Sequence, residues 1–150
     1  RQSRDDLGSE KGFDEQSYAR ELTNAEFCLV PRGDTASCRR LFEALVAGCV
    51  PVIVSDTITL PFKGILDWSK FSVQISESAF LADPIAVYRA LEGRNASQMR
   101  SEILGDGASA VGVRDRLVYG ERPRERSAPV ARMQGVAQLL VEEIAAKPPK

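Results

Sequence analysis

The chain has 150 residues, of which 43% are hydrophobic and 27% are charged, and its formal net charge is −1. This length and composition suit one globular domain with its own core, and the near-zero net charge provides no general attraction to nucleic acid or to a membrane surface. Because the chain contains no histidine, it cannot by itself supply a Ser-His-Asp or Cys-His catalytic group, and no zinc site is expected.

Taken in chain order, residues 1–24 are interpreted as a segment leading into the domain, 25–146 as the domain and 147–150 as a disordered tail. An apolar run at 27–30 predicts a strand, a polar loop follows, a helix is predicted at 37–47, and a second apolar run predicts a strand at 50–54. A crossover of this length joins parallel strands, because a tight hairpin cannot. The predicted fold class is therefore α/β, with a parallel sheet flanked by helices.

The loop after the first strand and the start of the helix are predicted to bind an anionic ligand. Ligands of open α/β sheets bind at the carboxyl ends of the strands, and the first turn of a helix suits a phosphate. Arg39 or Arg40 adds a planar charged group for a diphosphate, and Glu43, one turn beyond Arg39, is placed to accept hydrogen bonds from ribose hydroxyls. The alternative is that Arg39 and Glu43 form only an exposed ion pair on an ordinary helix. The expected loop residues are Gly33, which allows close backbone approach, and the helix-capping candidates Asp34, Thr35 and Ser37.

Two residues after the second strand each have two interpretations. Asp56 faces the same crevice, where it would touch a ligand, or it initiates a turn. Trp68 belongs to the core or forms a platform on which a sugar stacks. The remaining predictions are a third strand with Phe71, Val73 and Ile75, a helix from Pro84, a helix with Met99, Ile103 and Leu104, and a closing helix from Ser127.

The cysteines suggest one covalent link. Cys28 lies at the start of the first strand and Cys49 just before the second, so neighbouring parallel strands place both at the amino-terminal edge of the sheet, where a disulfide fits. Two buried, reduced thiols are the alternative. Cys38, at the start of the helix, is then left over and is expected to be a free thiol near the ligand.

The stretch FCLVPRGDTASCRRLFEALVAGCVPVIVSD, followed by LPFKGILDWSKFSVQI, resembles the carboxyl-terminal half of the exostosin family, glycosyltransferase family 47. This resemblance implies the GT-B architecture of two Rossmann-like domains, with this chain as the C-terminal domain that holds the nucleotide sugar. It also implies that Arg39 contacts the diphosphate and Glu43 the ribose or sugar hydroxyls, which makes these two the predicted catalytic residues. Asp56 is expected near the donor sugar, and the phosphate-side loop would comprise Arg32, Gly33, Asp34, Thr35 and Ser37.

The activity implied by the resemblance is inverting transfer of a sugar from a UDP-sugar donor to a growing glycan. The chain would supply the donor-binding half and be inactive alone, with the N-terminal GT-B domain of the same protein as its partner. No cofactor is expected, and because no Asp-x-Asp pair occurs, the reaction is expected to proceed without a metal ion. Two alternatives stay open: a non-catalytic exostosin-like domain that binds a glycan or a partner subunit, and a cytosolic Rossmann-like nucleotide-binding protein with reduced cysteines.

The resemblance also implies a cellular location. Family members are usually anchored in the Golgi membrane and face its lumen, so an anchor is expected upstream of the residues seen here. An oxidising lumen favours the disulfide between Cys28 and Cys49. In the secretory route, Asn95 of the Asn95-Ala96-Ser97 triplet becomes an acceptor for glycosylation.

Overall fold

A computed structural model of the chain describes residues 14–34, 38–105, 111–117, 139–140, 143 and 146. Thr35, Ser37, most of the predicted closing helix and the tail at 147–150 lie outside these residues. The elements of the described residues, in chain order, are α1 (Glu15–Asn24), β1 (Phe27–Pro31), α2 (Arg39–Ala47), β2 (Val50–Val54), a 3₁₀ helix (Trp68–Lys70), β3 (Val73–Ile75), α3 (Glu77–Ala82), α4 (Pro84–Glu92), α5 (Ala96–Leu104) and α6 (Val113–Leu117).

The three strands form a parallel sheet in the order β1-β2-β3, as the α/β prediction requires. Phe27 of β1 pairs with Val50 of β2, and Val52 of β2 pairs with Val73 of β3. All five residues of β2 are buried, which is typical of a central parallel strand covered on both faces. Helices α2 and α5 contact this strand, so the flanking helices and the sheet form a Rossmann-like unit.

Helix α2 packs one apolar side on β1 and β2. Its buried residues Leu41, Ala44 and Leu45 follow the helical period. The helix begins at Arg39 rather than at residue 37, because Cys38 is its N-cap. The Cys38 side chain makes no cap hydrogen bond. It ends at Gly48, whose φ of 70° is the left-handed conformation that glycine adopts most readily.

The third strand is shorter than the predicted alternation. Phe71 lies outside it, because this residue ends the 3₁₀ helix and its N–H bonds the carbonyl of Trp68. The Trp68 ring lies 4.9 Å from the Phe71 ring, and its Nε1 donates to the carbonyl of Pro61 at 2.9 Å. Trp68 is only 5% exposed, so its interpretation as a core residue is confirmed and the sugar platform is wrong.

Cys28 and Cys49 form a disulfide, with 5.8 Å between their Cα atoms. Both residues are buried at the amino-terminal edge of the sheet, which confirms the predicted link. Cys38 is a free, half-buried thiol.

Helices α4 and α5 each begin directly after a residue whose side chain caps the helix. The predicted start of α4 at Pro84 is confirmed, with the Asp83 side chain accepting from two N–H groups of its first turn. In α5, Asn95 is the N-cap, and Met99 and Ile103 are buried. Within the part of the chain that the structure describes, no helix is long and apolar enough to cross a membrane.

Candidate functional site

Three polar residues meet where the parallel strands end. Arg32 follows β1 directly, Asp56 follows β2 by two residues, and Glu77, the first residue of α3, follows β3 by two residues. The Arg32 N–H donates to the carbonyl of Val54 at 3.0 Å, which extends the pairing of β1 and β2 by one residue. The ends of the strands are therefore held side by side, as a ligand crevice at this edge of the sheet requires.

Glu77 links the other two residues of this group through a single carboxylate oxygen. Its Oε1 lies 3.4 Å from Nε of Arg32 and accepts from the backbone N–H of Asp56 at 3.4 Å. Glu77 was not among the predicted site residues, although the rule that polar residues after a strand face the crevice also points to it. Glu77 ties the loop after β1 to the loop after β2.

The turn after β2 is made by Ser55 rather than by Asp56. The Ser55 Oγ accepts from the N–H groups of Thr57 and Ile58, at 3.2 and 3.1 Å. The Asp56 side chain is exposed, so its carboxylate is accessible at the carboxyl edge of the sheet.

On α2, Arg39 and Glu43 form the ion pair that their spacing predicts. Nε of Arg39 lies 2.7 Å from Oε1 of Glu43, and the two side chains are 92% and 28% exposed. The pair lies in the first two turns of the helix, directly after the loop from β1. The Arg39 guanidinium is thus free to move in solvent, whereas the Glu43 carboxylate is partly buried.

Helix α1 supplies a second partner for Glu43. The hydroxyl of Tyr18 donates to Oε2 of Glu43 at 2.8 Å, and the Arg40 guanidinium carbon lies 5.9 Å from the centre of the Tyr18 ring, within cation–π range. Burial and then the hydrogen bond to Glu43 raise the pKa of Tyr18 above 10.0, and the nearby Arg40 opposes this. Tyr18 was not among the predicted site residues, because residues 1–24 were interpreted as a segment leading into the domain. Its contact with Glu43 spans 25 positions.

The remaining predicted residues are only partly described. Gly33 is half-buried and Asp34 exposed in the loop after Arg32, and neither caps α2. Asn95 is exposed and its Oδ1 accepts from the N–H of Gln98 at 3.0 Å; its glycosylation stays a prediction. Among the described residues, no group of three or more His, Cys, Asp or Glu side chains could hold a metal ion.

A cleft of about 650 Å³ lies beside β3, lined by residues including Lys63, Asp67, Trp68 and Arg94. None of the predicted donor ligands that the structure describes lines it. The candidate donor site is thus an open edge of the sheet, separate from this cleft.

Comparison with known proteins decides the family. The model of the Exostosin GT47 domain matches residues 1–91. The chain belongs to the exostosin GT47 family. The match includes all predicted donor ligands together with Tyr18, Glu77 and both linked cysteines, whereas Asn95 lies beyond it.

Individual relatives of the exostosin family agree with this assignment. The chain is 40% identical over 74 residues to the probable arabinosyltransferase ARAD1 of Arabidopsis thaliana, covering 49% of this chain and 17% of the relative. It is 40% identical over 72 residues to the exostosin-1 homolog of Caenorhabditis elegans, covering 48% and 19%. It is 34% identical over 85 residues to exostosin-2 of Homo sapiens, covering 57% and 12%. In each case the matched part spans less than a fifth of the relative.

Proposed function

We propose that this chain is the donor-binding half of an inverting, exostosin-like glycosyltransferase that transfers a sugar from a UDP-sugar to a growing glycan. The observation that carries the proposal is the Arg39–Glu43 pair, 2.7 Å apart in the first two turns of α2. It combines a cationic group for a diphosphate with an acceptor for hydroxyls, at the edge of the sheet where open α/β folds bind ligands.

The donor contacts follow from the chemistry of each group. The guanidinium of Arg39 and the positive end of the α2 dipole would contact the diphosphate. Glu43 would accept from ribose or sugar hydroxyls, and Asp56 would face the donor sugar. The loop after β1 would wrap the phosphates with Arg32, Gly33, Asp34, Thr35 and Ser37.

The ion pair is compatible with donor binding. The Arg39 side chain is 92% exposed. Turning it toward a diphosphate would therefore break few packing contacts with the rest of the protein. Its departure exposes Oε1 of Glu43 for a hydroxyl, while the Tyr18 hydroxyl keeps Oε2 in place. Donor binding would thus replace the Arg39–Glu43 ion pair with two contacts, one from Arg39 to the diphosphate and one from Glu43 to a hydroxyl.

In an inverting transfer the acceptor hydroxyl displaces the nucleoside diphosphate in a single step. A general base takes the proton of the acceptor hydroxyl, and positive groups stabilise the negative charge that forms on the leaving diphosphate. Arg39 and the start of α2 supply that stabilisation in this chain, and no metal ion is needed for it. We assign the base to the N-terminal domain of a GT-B arrangement rather than to Glu43.

The same proposal places the protein in the Golgi, facing the lumen and anchored through segments outside this chain. The disulfide between Cys28 and Cys49 supports an oxidising compartment. The disulfide also argues against the hypothesis that the protein is a cytosolic nucleotide-binding protein with reduced cysteines.

Calorimetric titration with UDP, and with ADP and GDP as controls, tests the proposal. Both the chain and any longer protein that contains it are titrated. Binding of UDP in preference to ADP and GDP is expected. Failure of both proteins to bind UDP would overturn the proposal and favour a non-catalytic exostosin-like domain whose donor pocket is idle.

A further inference from the structure

The geometry points to Tyr18 as a positioning residue of the donor site, an inference that rests on the proposed function. Tyr18 lies on α1, outside the strand–helix–strand unit that forms the rest of the site. Its hydroxyl holds the carboxylate of Glu43, and its ring lies against the guanidinium of Arg40. One side chain from another helix thus contacts two charged residues of α2.

The hydroxyl contact fixes the direction of the Glu43 carboxylate. Oε2 accepts from Tyr18 at 2.8 Å and Oε1 faces Arg39 at 2.7 Å, so each oxygen has its own partner. Without the hydrogen bond from Tyr18, the carboxylate would rotate about its last torsion once Arg39 turned away, because that torsion is broad for Glu. With Tyr18 in place, Oε1 keeps the orientation that a ribose hydroxyl meets once Arg39 turns away.

The ring contact restrains Arg40. A guanidinium over the face of a tyrosine is attracted by the electron density of the ring, and at 5.9 Å from the ring centre Arg40 is within range. This attraction keeps a second cation beside the first turn of α2, next to the position expected for the diphosphate. The hydroxyl of Tyr18 therefore serves the nucleoside part of the donor, and the ring serves the phosphate part.

These two roles are separated by two variants of the full chain. Tyr18→Phe removes the hydroxyl and keeps the ring, so uridine affinity should fall roughly tenfold, the order expected for one hydrogen bond to a charged group, while pyrophosphate affinity stays unchanged. Tyr18→Leu removes both contacts, so it should also lower pyrophosphate affinity. Tyr88→Phe is the matched control, because Tyr88 is an exposed tyrosine on α4.

The outcomes distinguish this inference from the proposed function. If the unchanged chain binds uridine and Tyr18→Phe binds it equally well, the positioning role is wrong and the donor site stands. If neither the unchanged chain nor a longer protein that contains it binds uridine or pyrophosphate, the donor site and the role of Tyr18 in it both fall. A merely structural role would lower both affinities together in Tyr18→Phe, which would also overturn the inference. Circular dichroism and the unfolding midpoint identify a variant that fails to fold, and Tyr18→Phe alone then decides.

Discussion

Nε of Arg39 lies 2.7 Å from Oε1 of Glu43, one helical turn along α2. The sequence allows two interpretations of these residues, an ordinary ion pair and a pair of donor ligands, and this geometry is compatible with both. An exposed pair of this spacing contributes only about 0.3–0.5 kcal/mol to stability. Its disruption by a ligand would therefore cost little, so under the proposed function the same two residues would form an ion pair in the empty site and bind the donor in the occupied site.

The first prediction concerns Arg39. Arg39→Ala should lower UDP affinity by roughly tenfold or more, the order expected for a charge-assisted hydrogen bond, and leave uridine affinity unchanged, because only UDP carries the diphosphate. Calorimetric titration with both ligands measures the difference, and Arg89→Ala, at an exposed residue of α4, is the control. Equal loss for UDP and uridine would remove Arg39 from the diphosphate, and a loss confined to Arg40→Ala would transfer the role to Arg40.

Glu43 should show the opposite selectivity. Glu43→Gln keeps the size of the side chain and removes its charge, so uridine affinity should fall by roughly tenfold, because a charged acceptor is lost. The exposed Glu92 on α4 offers the control Glu92→Gln. An unchanged uridine affinity in Glu43→Gln would show that Glu43 does not bind the ribose.

The pKa of Tyr18 provides a test without any ligand. The Tyr88→Phe, Tyr119→Phe double variant leaves Tyr18 as the only tyrosine of the three in the chain, and its ultraviolet absorbance then reports one ionisation. The midpoint should lie above 10.0, because burial and the hydrogen bond to Glu43 disfavour the phenolate. Glu43→Gln should lower this midpoint.

The same shift has a consequence for stability. Because the pKa of Tyr18 is raised on folding, the folded chain holds its proton more tightly than the unfolded chain does. The stabilisation is therefore complete below about pH 10 and is lost as the pH rises through the folded-state pKa of Tyr18. Urea unfolding at several pH values above 10 measures this, and a loss as large in Tyr18→Phe would contradict it.

The central unit of the fold was predictable because its signals are local. The apolar runs at 27–30 and 50–54 and the helical period of Leu41, Ala44 and Leu45 lie within a few residues of each other. Family resemblance then gave these elements candidate chemical roles. Position at the strand ends was enough to place Arg32 and Asp56 at the candidate site.

The partners of these residues were not predictable, since they come from distant positions. Tyr18 reaches Glu43 across 25 positions, and Glu77 reaches Asp56 across 21. No periodicity specifies such contacts. The prediction for Phe71 failed for a different reason. The alternation of Phe71 with Val73 suggested a strand, whereas Phe71 ends a 3₁₀ helix that Asp67 caps.

The last prediction concerns the disulfide. Replacing both Cys28 and Cys49 with Ala should lower the free energy of unfolding by about 3 kcal/mol, because the link closes a loop of 21 residues. Reducing agent should lower the unfolding midpoint of the unchanged chain and of Cys38→Ala, the free-cysteine control, but not that of the double variant. The link joins the amino-terminal ends of β1 and β2, at the edge opposite the candidate donor site. UDP affinity measured well below the unfolding midpoint should therefore stay the same, and a large loss there would mean that the disulfide also shapes the site.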